Sequence, residues 1–150
     1  MRRLLPIALL ALLAACNTFD PKHPLVGKPT ELNDPPAIYV WIDDNLWHVR
    51  FFGKGHRFQG SVAGVHGGVL DLALTRPSLK DAIAVAGDAV QFDVEANAPD
   101  TIADSAGFDV RVSGGCARFD LYLDGHHKPE RVRMGPKLHR PSRIPFDRCP

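Results

Sequence analysis

The sequence predicts an all-β protein, an antiparallel β-sandwich of about eight short strands, with a small β-barrel as the alternative architecture. Apolar residues recur at every second position in most of the chain after Ala37, and this period is typical of half-buried strands. Short clusters rich in Gly, Asp and Asn separate the alternating runs, and no long helical pattern occurs between them. Alternation of this kind favours antiparallel sheets with one face in water.

Each predicted strand is an alternating run that is bounded by turn residues. The runs cover positions 38–42, 47–52, 56–62, 70–74, 90–94, 108–113, 119–123 and 132–134. Segments 43–45 (Asp-Asp-Asn) and 124–125 (Asp-Gly) have the composition of tight turns between strands. For positions 77–87 we expect a loop with at most one helical turn, and a short strand over 82–85 is the alternative. After Gly135 the sequence predicts only a Pro-rich tail.

The first fifteen residues have the pattern of a targeting segment. Arg2 and Arg3 make a positively charged start, and an apolar run follows over positions 4–15. These twelve residues would span only about 18 Å as a helix, whereas the apolar core of a bilayer is about 30 Å thick. The pattern therefore predicts a cleaved signal peptide rather than a membrane-spanning helix.

The end of this segment, Leu13-Ala14-Ala15-Cys16, resembles the lipobox of bacterial lipoproteins. The resemblance covers only the first sixteen residues, and it implies cleavage before Cys16 and a diacylglyceryl group on the Cys16 thiol. Further acylation of the freed amine would add more buried methylenes, each worth about 0.8 kcal/mol, and would anchor the protein in a membrane. An ordinary signal peptide followed by a chance cysteine is the alternative.

The same resemblance implies a location and a domain organisation. Asn17 stands where an Asp would retain a lipoprotein in the inner membrane, so we expect sorting to the outer membrane. Residues 16–36 are rich in proline and lack periodicity, and they are expected to form an extended tether. Residues 37–150 are then a single β domain that ends in a Pro-rich, basic tail.

The net charge gives no electrostatic reason to expect a nucleic acid as partner. Without Arg2 and Arg3, 16 of the 18 Lys and Arg remain against 17 Asp and Glu, which leaves a charge of about −1. Positions 126–150, however, hold seven Lys or Arg against Glu130 and Asp147. A solvated, loosely packed end is the simpler interpretation, and contact with anionic lipid headgroups or acidic polysaccharide is the alternative.

The three cysteines divide into one anchor and one pair if Cys16 is acylated. Because the exported compartment is oxidising, a disulfide between Cys116 and Cys149 is expected. It would close a loop of 34 residues, counted from Cys116 to Cys149 inclusive, and would hold the C-terminal tail to the sheet. A thiol metal site is the alternative, but the chain has no Cys-x-x-Cys spacing.

No recognised catalytic motif occurs in the sequence, so we expect neither enzymatic activity nor a cofactor. Tyr39, Trp41 and Trp47 are the candidate ligand-binding residues, because flat rings exposed on a sheet can stack against the apolar face of a sugar. Burial of these rings in or near the core is the simpler interpretation.

Histidines and loop aspartates are the candidate metal ligands. His48 and His56 flank a predicted hairpin, and they face each other only if the strand register places them opposite. Asp100, Asp104 and Asp109 lie in or beside one loop and offer oxygen ligands, although their spacing does not match an EF-hand. Without a third ligand at a convincing spacing, surface histidines and a solvated loop are the simpler interpretation, and no metal site is expected.

These observations support three function hypotheses. The leading one is a non-catalytic, lipid-anchored envelope domain that binds an envelope protein or a glycan, or has a structural role. A carbohydrate-binding module is the first alternative, and it requires at least two of the three candidate rings to be exposed. A small metal-dependent hydrolase is the second, and it requires His48, His56 or a loop aspartate to meet other ligands in one pocket. Segments 119–125 and 132–135 resemble a strand–turn–strand pattern of uncharacterised secreted bacterial modules, which implies no activity.

Overall fold

The computed structural model describes residues 35–96, 101–135 and 138–150. The predicted signal peptide, Cys16 and the tether up to position 34 lie outside the described residues, as do Asp100 and Lys137. The described part is a sandwich of two five-stranded sheets that do not close into a barrel, which confirms the predicted fold class. No helix within the three described ranges is long and apolar enough to cross a membrane.

Ten strands build the two sheets. They are β1 (Ala37–Asp43), β2 (Leu46–Phe52), β3 (Arg57–Gly64), β4 (Val69–Leu74), β5 (Ile83–Ala86), β6 (Ala89–Glu95), β7 (Ala106–Val112), β8 (Ala117–Leu123), β9 (Val132–Met134) and β10 (Phe146–Arg148). The first sheet has the order β4-β7-β2-β1-β9, and the second has the order β10-β8-β3-β6-β5. All pairings are antiparallel except that of β1 with β9, which is parallel. The first sheet is therefore mixed in one pairing, within a sandwich that is otherwise antiparallel as predicted.

All eight predicted runs are strands, and two further strands occur where no run was predicted. β5 follows a short 3-10 helix (Pro77–Asp81), so the segment left ambiguous contains both a helical turn and a strand. β10 lies in the tail that was expected to be loosely packed. Both are short edge strands that pair with a single neighbour, and such segments carry too little alternation to be recognised from sequence.

The predicted turns have the backbone geometry that their residues favour. Asp44 and Asn45 between β1 and β2 have φ angles of 46° and 61°. Asp124 and Gly125, after β8, have φ angles of 51° and 79°. Two consecutive positive φ angles match the right-handed twist of the strands in a two-residue hairpin, and Asn, Asp and Gly adopt them at the lowest cost.

The core lies between the sheets and is rich in aromatic rings. Phe51 is fully buried, and its ring centroid lies 5.2 Å from that of Phe58, 4.8 Å from that of Phe92 and 6.2 Å from that of Phe108. Because Phe51 and Phe108 belong to the first sheet and the other two rings to the second, these contacts hold the layers together. Offset and tilted ring pairs at these distances stabilise a core beyond the area that they bury.

A disulfide joins Cys116, just before β8, to Cys149, just after β10, as predicted. It fixes the end of the chain to the second sheet. Ile144 and Phe146 in the same tail are also buried, and the Phe146 ring stacks on Phe119 with centroids 5.2 Å apart. The tail is therefore packed against the sandwich over its last residues, which corrects the expectation of a loose, solvated end.

Candidate binding surfaces

The three aromatic residues proposed from the sequence as ligand-binding groups are buried. Trp47 is 0% exposed, Trp41 3% and Tyr39 6%. Trp47 lies between the sheets, where its indole N–H donates a hydrogen bond to the carbonyl of Gly115 at 2.8 Å. Trp41 and Tyr39 belong to a second, smaller buried cluster with Ala37, Phe52 and Ile102. The three rings form no open stacking platform, which corrects the expectation of a sugar site built from them.

A charged network lies beside Trp41 on the first sheet. His48 of β2 and Asp109 of β7 are direct cross-strand neighbours, and their Nδ1 and Oδ1 atoms are 2.7 Å apart. Arg50 contacts the same carboxylate oxygen at 2.8 Å, although its side chain is only 8% exposed. Its guanidinium also donates hydrogen bonds to the carbonyls of Val49 and Phe108 at 3.0 Å and 2.9 Å. The network therefore ties β2 to β7 through one shared carboxylate.

Two residues of this network, His48 and Arg50, contact the Trp41 ring. The Trp41 ring stacks on His48 with centroids 4.9 Å apart and planes within 15° of each other, and the Arg50 guanidinium carbon lies 5.2 Å from the Trp41 centroid. A cation held over an indole face at this distance is attracted to it. The Nε atom of Arg50 and the Nε1 atom of Trp41 are buried without a hydrogen-bond partner among the described residues. Among the described residues, the Asp109 carboxylate is therefore the charged group that compensates the buried guanidinium of Arg50.

The pKa of Asp109 reflects two opposing effects. Burial alone would raise the pKa of this carboxyl, because burial disfavours the charged form. The hydrogen bond with His48, together with the charge and hydrogen bond of Arg50, outweighs burial and holds the pKa below its ordinary value. Asp109 is therefore ionised at neutral pH and compensates the charge of the buried Arg50. We interpret the network as a structural one.

Among the candidate metal ligands, the structure brings His48 and Asp109 together, and Arg50 rather than a third ligand shares their contact. His56 is hydrogen-bonded to Asp124 at 2.7 Å beside the second sheet, whereas His48 lies on the first. Asp104 accepts a hydrogen bond from the Thr101 hydroxyl at 2.7 Å, away from the Asp109 network. Across residues 35–96, 101–135 and 138–150, no group of three or more His, Cys, Asp or Glu is placed to hold a metal ion.

A shallow polar groove lies on the outer face of the second sheet. Two cross-strand rows form its floor: Tyr122, Gln59 and Asp93 in one row, and Ser61, Gln91 and Ala84 in the next. The part over β3 and β6 has a volume of about 460 Å³, and an adjoining part of about 350 Å³ reaches Tyr122 and Gly125. Gln59 and Gly60 line both parts, so we treat them as one surface, the polar groove.

Gly60 allows β3 and β8 to lie close together beneath the polar groove. This residue has a φ angle of +142°, and a Cβ atom built on it would lie 1.8 Å from the carbonyl oxygen of Asp120. Any side chain here would clash with the backbone of β8, so only glycine allows β3 and β8 to approach this closely.

Hydrogen bonds orient the side chains along the rim of the polar groove. The Arg57 Nε atom donates to Asp93 at 2.7 Å, and this hydrogen bond lowers the pKa of Asp93. Gln59 donates to the same carboxylate at 3.3 Å. On the other side, His127 lies 2.9 Å from Asp120 and packs on the Tyr122 ring with centroids 4.1 Å apart. Asp93, Gln59 and Tyr122 are thus held in place before any ligand arrives.

A second cavity, of about 710 Å³, lies where the C-terminal tail meets β8. It is lined by Arg118 and by residues 141–148, including Arg143 and Arg148, and Asp147 is its one acidic lining residue. Arg118 donates to Asp147 at 2.7 Å and 3.0 Å, which lowers the pKa of Asp147 and raises that of Arg118. We call this cavity the arginine pocket.

Sequence reasoning identified neither surface. The groove residues occupy ordinary outward positions on β3, β6 and β8. The one feature that could have indicated them is that several, such as Gln59, Ser61 and Gln91, are small or amide residues where exposed strands usually carry longer charged side chains. The arginine pocket lies in the basic tail, where the sequence indicated charge but not shape. Function must be inferred from these surfaces, because no known protein family, curated protein or solved structure matches the chain.

Proposed function

We propose that this chain is a lipid-anchored lipoprotein of the bacterial cell envelope and that its β-sandwich is a non-catalytic binding domain. The lipobox resemblance ending at Cys16 supports the anchor, and Asn17 supports sorting to the outer membrane. The polar groove supports the binding role, and it is the single observation on which that role rests. Its side chains converge from three strands, and sites built on a rigid sheet hold their groups more accurately than sites on loops.

A neutral carbohydrate is the ligand class that best fits the polar groove. Gln59 and Gln91 each offer amide donors and a carbonyl acceptor, which suits sugar hydroxyls because these also donate and accept. The Tyr122 ring supplies a flat apolar surface at one end. The carboxylate of Asp81, which lines the groove, adds an acceptor, and it would repel an acidic polysaccharide. We therefore propose the outer face of the second sheet as the carbohydrate site, in place of the buried rings of Tyr39, Trp41 and Trp47.

Lipidation is tested on the mature N-terminus. Protein made in a bacterium that processes lipoproteins is expected to begin at Cys16 and to carry a diacylglyceryl group, as mass spectrometry would show. The Cys16→Ala variant is the control and is expected to remain uncut and unacylated, because it lacks the thiol that accepts the lipid. Protein that is recovered with its leader intact, or water-soluble with an unmodified first residue, would exclude the anchor.

The binding role is tested with an array of neutral and acidic oligosaccharides. We expect the protein to retain a neutral glycan, and we expect Gln91→Ala and Tyr122→Ala each to weaken that binding about tenfold, the effect of losing about 1.4 kcal/mol. Both residues are at least partly exposed on the outer face, so their removal leaves the core intact.

Glu95→Ala is the matched control for the groove. Glu95 lies on β6 in the same exposed row as Gln91 but does not line the polar groove. Its loss is expected to leave glycan binding unchanged within about twofold. Equal effects of Gln91→Ala and Glu95→Ala, or no retained glycan at all, would remove the case for the groove as a carbohydrate site.

A further inference from the structure

We propose that the arginine pocket binds the phosphate of an anionic lipid headgroup and so holds the tail face of the domain against a membrane surface. The pocket is lined by three arginines and a single carboxylate, so it has an excess of two positive charges. Guanidinium groups match the geometry of phosphate oxygens and bind them with paired hydrogen bonds. Charge complementarity therefore selects an anionic ligand.

The pocket is held in shape before any ligand binds. Asp147 orients Arg118, and the Cys116–Cys149 bond fixes the chain just beyond Arg148. The Arg148 guanidinium donates to the carbonyl of His139 at 3.0 Å and lies 5.3 Å from the Phe146 ring centroid. Preorganised arginines lose less conformational entropy when an anion binds than free surface arginines do.

Arg143 is the group left for the ligand. It is exposed, and it makes no hydrogen bond or ion pair within the part of the chain that the structure describes. Arg118 and Arg148 are both already engaged by protein acceptors, and Arg143 adds an unneutralised charge to the same cavity. Removal of Arg143 thus tests ligand binding without breaking a contact that holds the tail.

A headgroup phosphate fits better than an acidic polysaccharide. The arginine pocket, of about 710 Å³, lies within the size range of pockets that take small molecules, so it accommodates a headgroup phosphate together with its glycerol. The other cations of the tail, among them the exposed Arg140, add attraction towards a surface of like anionic groups. This attraction needs no glycan in the polar groove, which shares strand β8 with the arginine pocket but none of its lining residues.

The test measures sedimentation of the mature chain, residues 17–150, with vesicles. The protein is made without the leader and without Cys16, so that neither an uncut apolar leader nor an acyl anchor can itself insert, and the vesicles are phosphatidylcholine with or without phosphatidylglycerol. We expect binding only to the anionic vesicles. Arg143→Gln is expected to weaken it about tenfold, whereas Arg140→Gln, the same charge change in the same tail outside the pocket, should weaken it less than about twofold.

Other outcomes would overturn the proposal. Equal losses for Arg143→Gln and Arg140→Gln would mean that general attraction to the tail, not the pocket, causes binding. Equal binding to both kinds of vesicle would exclude a headgroup phosphate. Binding of inorganic phosphate or glycerol phosphate at low concentration, without sedimentation of the chain with anionic vesicles, would assign the pocket to a free phosphate compound. Retention of an acidic polysaccharide in place of the vesicles would assign it to that class of polymer.

Discussion

Replacing both Cys116 and Cys149 by serine is expected to lower the free energy of unfolding by about 3–4 kcal/mol, because the cross-link removes chain entropy from the unfolded state. The two cysteines are 33 residues apart in sequence, so the bond closes a long loop in the unfolded chain. Changing both residues leaves no unpaired thiol from this bridge. Denaturant unfolding at neutral pH, in a Cys16→Ala background that excludes thiol exchange, measures the loss.

Reduction provides the control for this prediction. A reductant should lower the stability of the disulfide-bonded protein by a similar amount and should leave the Cys116→Ser/Cys149→Ser variant unchanged. The three-residue strand β10 pairs only with β8, so its release would also separate Arg148 from Arg118 in the arginine pocket. Binding to anionic vesicles should therefore fall in parallel. A loss of stability below about 1 kcal/mol would show that the bond contributes little to the cohesion of the domain.

The strands of the core could be predicted because their signal is local. Alternation places Phe51 and Phe58 in apolar rows, and the structure buries both between the sheets. β10 could not be predicted in this way, since three residues contain too little alternation and its pairing depends on β8, far away in the sequence. The disulfide could be predicted from composition and compartment alone.

The burial of outward-facing residues could not be predicted from alternation. The sequence correctly places Tyr39 and Trp41 opposite the inner row of β1, but it does not say that Ile102, from another part of the chain, joins them in a buried cluster. Arg50 likewise stands in an outward row and is nevertheless only 7% exposed. Burial of a second face depends on long-range packing, which a period of two does not encode.

The polar groove and the arginine pocket depend on strand order, which the sequence also does not reveal. Gln59 meets Tyr122 on one side and Asp93 on the other because β3 lies between β8 and β6. Any order in which β3 does not lie between β8 and β6 would separate Gln59 from one of these two residues. Antiparallel register is set by the whole buried face of each strand, so no local pattern identifies the neighbours.

Asp109→Asn is expected to lower the free energy of unfolding by about 2–3 kcal/mol at neutral pH, because it leaves the charge of the buried Arg50 without its carboxylate. The cost is below that of a fully buried pair, since the Asp109 side chain is 25% exposed. Replacing both partners by apolar residues, as in Arg50→Met/Asp109→Leu, should restore most of the loss because no unpaired charge remains. A double variant that is less stable than Asp109→Asn would contradict this explanation.

The same network predicts a difference in acid stability. The pKa of Asp109 is lowered in the folded protein, so the ionised carboxylate stabilises the fold at any pH above its ordinary value of 3.8. This contribution is lost as the pH falls through the lower pKa of the folded state. Asp93, Asp124 and Asp147 also have lowered pKa values, so acid unfolding of the whole protein has several causes. The difference in stability between the original protein and Asp109→Asn isolates Asp109: it should be largest near neutral pH and shrink below the ordinary carboxyl pKa. A difference that stays constant with pH would show that Asp109 acts through packing rather than through its charge.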